Sequence, residues 1–243
     1  MNQPDLGEQA ISKAAEVGIE SQLDEVDELN IDIRANPLDL AAGKLESVTV
    51  DGKGMVMKKD LRAERLILQT DEIAIDSIKA ALGNIELTHD TNAEAKIVLL
   101  EADIQRAFNS TYIADKLKNQ KLDLDGETVT VNASNVKFTL PGDDKIALEA
   151  DINVAESETT KKIALSAKPT LDADGHKIAI ADIEYHNDEN AAFAQALLDS
   201  TKEVLDLRNF ELDAMSLQID KIDVCRGKII MAASAIVRQF PDS

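Results

Sequence analysis

The feature that most constrains the fold is an alternation of side chains that runs unbroken over residues 85–99. Apolar or small residues occupy nearly all its odd-numbered positions, and polar residues occupy most of the even-numbered ones. A period of two predicts a β-strand with one apolar face. A strand of this length would reach about 50 Å, whereas a compact chain of 243 residues is about 35–40 Å across. We therefore predict a long sheet that curves, breaks at a bulge or follows an elongated body.

Similar alternation recurs along most of the chain and predicts further strands. These segments are residues 29–33, 48–51, 66–68, 129–140, 146–154, 163–171, 215–224 and 229–237. The alternation changes phase twice, near residues 133–135 and between Ile219 and Ile222. Because a slip of one residue swaps the two faces of a strand, we predict a β-bulge at residues 133–135.

Apolar residues at spacings of three and four predict helices over residues 6–26, 101–119 and 188–207. Pro37 and Gly43 bound a predicted helical turn. Short turns at residues 125–126 and 174–175 favour antiparallel pairing. The predicted fold class is α+β, with a long curved antiparallel β-sheet wrapped around one or more α-helices. We expect one domain, in which an N-terminal helix (1–28) joins a curled-sheet domain (29–243).

The composition indicates an aliphatic interior and an acidic surface. Hydrophobic residues make up 44% of the chain, but aromatic residues make up only 3% and tryptophan is absent. Such an interior suits acyl chains better than rings. The net charge of −20 argues against a nucleic-acid partner and against permanent attachment to an anionic membrane.

The chain shows no targeting or membrane-spanning pattern. Its start lacks a basic region followed by an apolar stretch. A membrane span needs about 18 consecutive apolar residues, and no run in the sequence comes near that length. Cys225 is the single cysteine, which excludes an internal disulfide. These features predict a cytoplasmic location, with peripheral membrane contact left open.

No residue pattern predicts catalysis, a cofactor or a metal. The three histidines lack metal-ligand spacing, and His89 lies on the mainly apolar strand face, where a structural role is expected. The Asp-x-Asp-Gly segments at 123–126 and 172–175 are interpreted as turns rather than calcium loops. Nucleophile elbows, phosphate loops and dinucleotide-binding glycines are absent. We therefore expect no enzyme.

One segment is basic in this acidic chain. It contains Lys53, Lys58, Lys59, Arg62 and Arg65, with only Asp60 and Glu64 as acids. Two interpretations stay open: a hairpin that contacts phosphate headgroups or a membrane, and an ordinary solvated hairpin.

Several segments together resemble a known family. They are Ala35-Asn36-Pro37-Leu38 with Gly43-Lys44, the stretch at 50–62, Ile85-Glu86-Leu87-Thr88, the stretch at 101–110, and Gln239-Phe240-Pro241. On these residues the chain resembles the LmeA family of phospholipid-binding proteins, in its photosynthetic-bacterial type. The resemblance implies phospholipid binding without enzymatic activity, and an architecture similar to tubular lipid-binding proteins.

The leading hypothesis is non-enzymatic binding or transfer of phospholipid, or another acyl lipid, in an apolar groove. The expected groove residues are Ile85, Leu87, Ala93, Ala95, Ile97, Leu99, Ile104, Phe108, Tyr112, Phe193 and Leu197. The expected membrane contact is transient and lies in the basic segment. Two alternatives stay open: a structural or interaction protein with a closed core, and a lipid hydrolase.

Overall fold

The computed structural model describes residues 6–57, 61–76, 79, 86–124, 127–200 and 215–238. The helices are α1 (Leu6–Glu20), α2 (Pro37–Ala41), α3 (Glu101–Phe108), α4 (Thr111–Lys116) and α5 (Ala191–Ser200), which a 3₁₀ turn (Asp188–Asn190) precedes. The first strands are β1 (Leu23–Glu25), β2 (Glu28–Arg34), β3 (Lys44–Leu45), β4 (Ser47–Met57), β5 (Leu61–Thr70), β6 (Ile73–Ala74) and β7 (Thr91–Leu100). The others are β8 (Gln120–Leu124), β9 (Glu127–Gly142), β10 (Lys145–Val154), β11 (Thr159–Leu171), β12 (Ile178–Tyr185), β13 (Met215–Cys225) and β14 (Lys228–Val237).

The protein is mostly antiparallel β-sheet with a curled sheet and a few helices, as the alternation predicts. The strands form two main sheets rather than one. Sheet 1 has the order β1-β4-β5-β7-β14-β13, with β2 also paired to β4. Sheet 2 is a meander in the order β12-β11-β10-β9-β8, and β3 and β6 form a small separate pair.

The long strand predicted over residues 85–99 is shorter in the structure. β7 begins at Thr91, and Ile85 lies outside the described residues. Leu87 instead forms an isolated bridge with Ile75, and the Thr88 N–H donates to Ala74 O at 2.8 Å. The alternating segment therefore pairs with two different parts of the chain: Leu87 pairs with Ile75, and residues from Thr91 onward pair within sheet 1.

Both predicted phase slips are irregularities of register in the structure. β9 pairs with β10 through Lys137↔Glu149 and then Ser134↔Asp151, so β9 carries one extra residue near Asn135. The pairing of β13 with β14 likewise shifts between Ile219 and Lys221. These bulges keep the apolar residues of each strand on one face.

The helices predicted over residues 6–26 and 101–119 are present but shorter or divided. α1 ends at Glu20 rather than at residue 26. The helix predicted over 101–119 divides at Ser110, whose hydroxyl donates to Ala107 O at 2.7 Å and accepts from Ile113 N at 3.3 Å. The side chain of Ser110 thus ends one helix and caps the next. The predicted helical turn at 37–43 is present as α2, whereas residues 201–207 lie outside the described residues.

The core consists of clusters on the inner faces of the two sheets. α1 packs on the β2–β4 part of sheet 1 through Ala15, which lies with Ile33 and Val48 in one cluster. α5 packs on sheet 2 through Ala194 and Leu197. Each helix therefore covers part of one sheet, and both interiors are almost wholly aliphatic.

Side chains of α3 cover a strand edge of sheet 2. β8 pairs with β9 only over residues 127–131. Farther along the same strand, Gln105 donates from Nε2 to Val136 O at 2.8 Å and accepts at Oε1 from Phe138 N at 2.7 Å. The Glu101 carboxylate accepts from Leu140 N at 2.6 Å. α3 thus joins the end of β7 in sheet 1 to β9 in sheet 2.

The turn between β11 and β12 makes a second connection between the sheets. Gly175 O accepts from Ile219 N at 2.8 Å, and His176 Nδ1 donates to Leu217 O at 3.1 Å. Gly175 has φ +67°, and a Cβ there would lie 2.4 Å from Ile219 O. The sequence Asp174-Gly175 therefore forms the predicted turn, while residues 125–126 lie outside the described residues.

Candidate functional site

Partly exposed aliphatic side chains join the core clusters of the two sheets. Ile222 and Ile229 of sheet 1 pack against two clusters of buried residues. One is the sheet 1 cluster of Ala95, Ile219, Met231 and Ala233, and the other is the α3 cluster of Phe138, Leu140 and Val224. Ile146 and Leu148 of sheet 2 pack against both the α3 cluster and the sheet 2 cluster. We call the partly buried residues along this path the apolar band. Its members are Leu66, Ile97, Leu99, Ile104, Phe108, Ile146, Leu148, Ile222 and Ile229.

The inner face of sheet 1 changes from fully buried to partly exposed along β7. Ala93 and Ala95 are 5% and 6% exposed, whereas Ile97 and Leu99 on the same face are only partly buried. Leu66 lies opposite Ile97 on β5 and is also partly buried. The large aliphatic side chains at this end of β5 and β7 are therefore incompletely covered, although the neighbouring Met231 is buried.

The residues predicted to line one groove lie in several places. Ile97, Leu99, Ile104 and Phe108 belong to the apolar band, and Ala95 lies in the buried cluster beside it. Three others lie elsewhere: Leu87 packs against the α1 cluster, and Phe193 and Leu197 pack in the sheet 2 core. Tyr112 is partly buried on α4, with Lys116 Nζ 5.9 Å from its ring centroid. The structure thus brings together about half of the predicted set.

Sequence reasoning missed the members of the band outside β7 and α3. Leu66, Ile222, Ile229, Ile146 and Leu148 were recognised as strand residues but not as part of a site. The alternation marks which residues share a face, yet it does not show which faces meet. Pairing between distant strands, such as Ile229↔Leu99, is the information that was lacking.

An ionic cluster around Arg62 lies beside the band. Its Nη1 donates to Glu64 and to Asp103, both at 2.9 Å, and its Nη2 donates to Asp27 at 3.3 Å. Asp103 is 7% exposed in its side chain and also accepts from Leu100 N at 3.3 Å. The hydrogen bonds to Glu64 and Asp103 raise the pKa of Arg62. Arg62 therefore holds the start of α3 against β5.

The other described cations of the basic segment are also paired. Lys53 forms an ion pair with Glu28 at 2.5 Å. Arg65 donates two hydrogen bonds to Asp51, at 3.0 and 2.8 Å, and they lower the pKa of the Asp51 carboxyl. Lys58 and Lys59 lie outside the described residues. The basic segment thus offers less free positive charge than its composition suggests.

The described residues hold no arrangement suited to metal chemistry. Groups of three or more His, Cys, Asp or Glu side chains that could hold a metal ion are absent from this part of the chain. The prediction that His89 lies partly buried on the mainly apolar face of a strand is wrong, since His89 is exposed in the bend that precedes β7. Of the helices described, none is long and apolar enough to cross a bilayer.

Comparison with known proteins identifies the family. The family model described as LmeA-like phospholipid-binding matches residues 4–234. The chain belongs to the LmeA-like phospholipid-binding family. Searches of curated proteins and of solved structures each returned no match. Membership of the LmeA-like family therefore rests on the sequence, and the site rests on the geometry above.

The stretch at 101–110, which carried the resemblance, supplies Glu101, Asp103 and Gln105. These three side chains bind Leu140 N, Arg62 and the β9 edge respectively. The polar residues of this motif therefore position α3, while Ile104 and Phe108 of the same helix belong to the apolar band.

Proposed function

We propose that the protein binds a phospholipid, or another acyl lipid, with its acyl chains along the apolar band. The observation that carries the proposal is that Leu66, Ile97 and Leu99 on the inner face of sheet 1 are only partly buried, whereas Ala93 and Ala95 on the same face are 5% and 6% exposed. A closed core would cover large aliphatic side chains at such positions with its own residues, and we infer that an apolar molecule covers them instead. The family supports a phospholipid as that molecule.

Aliphatic contact is sufficient to hold such a ligand. Each methylene transferred from water to an apolar surface contributes about 0.8 kcal/mol, so an acyl chain needs no specific polar partner. The band is built from Ile and Leu, with Phe108 as its one aromatic residue among the described members. This composition favours flexible chains over flat rings. The fold expected of a tubular lipid-binding protein, with a curled sheet wrapped around a helix beside an apolar groove, is part of this proposal.

The proposal includes transfer, because a lipid that lies in a partly exposed band can leave it. Contact with a membrane would then be transient. Headgroup contact by the basic segment stays a prediction at Lys58 and Lys59. The described cations Lys53, Arg62 and Arg65 are each held by carboxylates, so a headgroup would have to compete with these partners.

The test is lipid loading of an Ile97→Ser variant, measured by native mass spectrometry of the purified protein. Ile97 lies at the centre of the partly exposed face, opposite Leu66 and Met231. A hydroxymethyl group there removes apolar contact with the acyl chain. We expect the wild type to carry lipid and Ile97→Ser to lose most of it.

Two variants control for general effects on the sheet. Ile236→Ser changes a residue that is 40% exposed on the opposite face of β14, and it should retain lipid. Ile97→Leu keeps the apolar volume and should also load. A wild-type protein that neither copurifies with lipid nor takes it up from vesicles would exclude the proposal and favour a closed-core structural protein.

A further inference from the structure

The loop between β2 and β4 presents an apolar projection in an acidic protein, although Asp39 of the same helical turn is partly exposed. It contains α2, where Leu38 is 84% exposed, the highest value among the large hydrophobic residues that the structure describes as exposed. Pro37, Ala41 and Ala42 are exposed beside it. Leu38, Ala41 and Ala42 are spaced by three and four residues and therefore share one side of the helical turn. We call Pro37, Leu38, Ala41 and Ala42 the apolar turn.

The backbone of the apolar turn satisfies its own hydrogen bonds. Asn36 Oδ1 accepts from Leu38 N at 3.1 Å and from Asp39 N at 2.9 Å. The next donors are bonded within the same turn: Leu40 N to Asn36 O, Ala42 N to Leu38 O and Gly43 N to Leu40 O. A backbone without open donors can enter a low-dielectric medium at little cost, whereas an ordinary loop cannot.

The turn is fixed to the fold on both sides. Leu40, which points away from Leu38, packs against the α1 cluster. Gly43 O accepts from Ile75 N at 2.7 Å, and Glu46 N donates to Arg34 O at 2.7 Å, which closes the loop. The side chain of Leu38 is therefore held out by a rigid support and is not a residue of a loose loop.

We propose that the apolar turn is the surface by which the protein docks on a lipid bilayer, with Leu38 inserted among the lipid headgroups and upper acyl segments. The choice of a bilayer rests on the proposed lipid function, since a phospholipid has to be collected from or delivered to a membrane. It also rests on charge. In a chain of net charge −20, four uncharged residues with the partly exposed Asp39 in the same turn approach a phospholipid surface with less repulsion than a more acidic surface would.

Tryptophan at position 38 tests the proposal directly. The chain contains no tryptophan, so Leu38→Trp creates a single fluorophore at the proposed contact. With vesicles of palmitoyl-oleoyl phosphatidylcholine, we expect its emission to shift to the blue and to be quenched by lipids brominated on their acyl chains. Ala155→Trp, at an exposed turn of sheet 2, should show neither effect. In flotation experiments, Leu38→Ser should bind the same vesicles about tenfold more weakly than the wild type.

Three outcomes would overturn the docking surface. The first is an unchanged Leu38→Trp emission at saturating vesicle concentration, and the second is equal quenching of the two tryptophan variants. The third is a blue shift that depends on protein concentration without vesicles, which would identify a second copy of the chain as the partner. Lipid loading of the wild type is measured separately. A loaded protein with an unshifted Leu38→Trp would exclude the docking turn while leaving the lipid function intact.

Discussion

Thr91 and Thr70 are buried on the same face of sheet 1 but differ in their hydrogen bonds. Thr70 Oγ1 accepts from Val48 N at 2.9 Å. Thr91 Oγ1 is fully buried and has no hydrogen-bond partner. A buried hydroxyl without a partner loses its hydration and gains nothing in return. The two residues therefore form a matched pair for the same substitution.

We predict opposite effects of valine at these two positions. Thr91→Val replaces an unpaired hydroxyl by a methyl of similar shape and should raise the free energy of unfolding by about 0.5–1 kcal/mol. Thr70→Val removes the acceptor of Val48 N and should lower it by about 1–3 kcal/mol. Urea denaturation measures both. A loss of stability in Thr91→Val equal to that in Thr70→Val would show that the Thr91 hydroxyl has a partner in solution.

The roles of individual residues were the part of the structure that the sequence predicted least well. Alternation places His89 on an apolar face, yet the structure exposes it, because the chain changes pairing partners before Thr91. Arg62 is basic in sequence, but its three carboxylate partners, Asp27, Glu64 and Asp103, come from three separate parts of the chain. The role of a side chain in such a protein depends on contacts that no local pattern contains.

At the scale of single elements, α3 depends on contacts with the strand that it covers. Gln105 makes two hydrogen bonds to the backbone of β9, in the place of a neighbouring strand. The helix was predictable from its apolar spacing, and so was the phase slip in β9. The attachment of one to the other was not predictable, because a glutamine at position 105 is equally compatible with a solvated surface.

We predict that Gln105→Ala exposes the Phe138 amide. The alanine cannot accept from this N–H, so its hydrogen exchange should become faster, while the Leu140 amide stays protected by Glu101. Asn109→Ala is the control, since it removes a side-chain hydrogen bond to Gln105 O on the exposed side of the helix and none to β9. Hydrogen exchange followed by mass spectrometry or NMR measures the change. Unchanged exchange at Phe138 would mean that Gln105 does not protect the edge in solution.

For the whole molecule, the sequence was sufficient to predict the antiparallel architecture and the family, but not the division of strands between two sheets. Strand order in sheet 1 places β7 beside β14, elements that are far apart in the chain. The apolar band arises from this arrangement. The resemblance supplied the kind of ligand that we propose, whereas the position of the band had to come from the structure.

We predict that binding to anionic vesicles strengthens as salt rises. The net charge of −20 opposes approach to a surface that contains phosphatidylglycerol, and ions at about 0.15 M screen this repulsion beyond about 8 Å. Docking by the basic segment instead predicts that binding to anionic vesicles weakens as salt rises. Flotation assays from low to physiological salt distinguish the two.

The double variant Lys58→Ser, Lys59→Ser is the control for the salt experiment. It retains Arg62, whose removal would leave the buried Asp103 carboxylate without its cation. Weaker wild-type binding at higher salt, abolished in this variant, would assign the contact to the two lysines and not to the apolar turn.

The covering of the β9 edge by α3 also bears on how the protein behaves when it is concentrated. A strand with open N–H and C=O groups is a template on which a second chain can add, and such additions lead to fibrillar aggregates. Gln105 and Glu101 occupy these groups over Val136, Phe138 and Leu140. Any event that lifts α3 from β9, whether mutation, heat or an oversized ligand, would turn this strand into a site for amyloid-like growth.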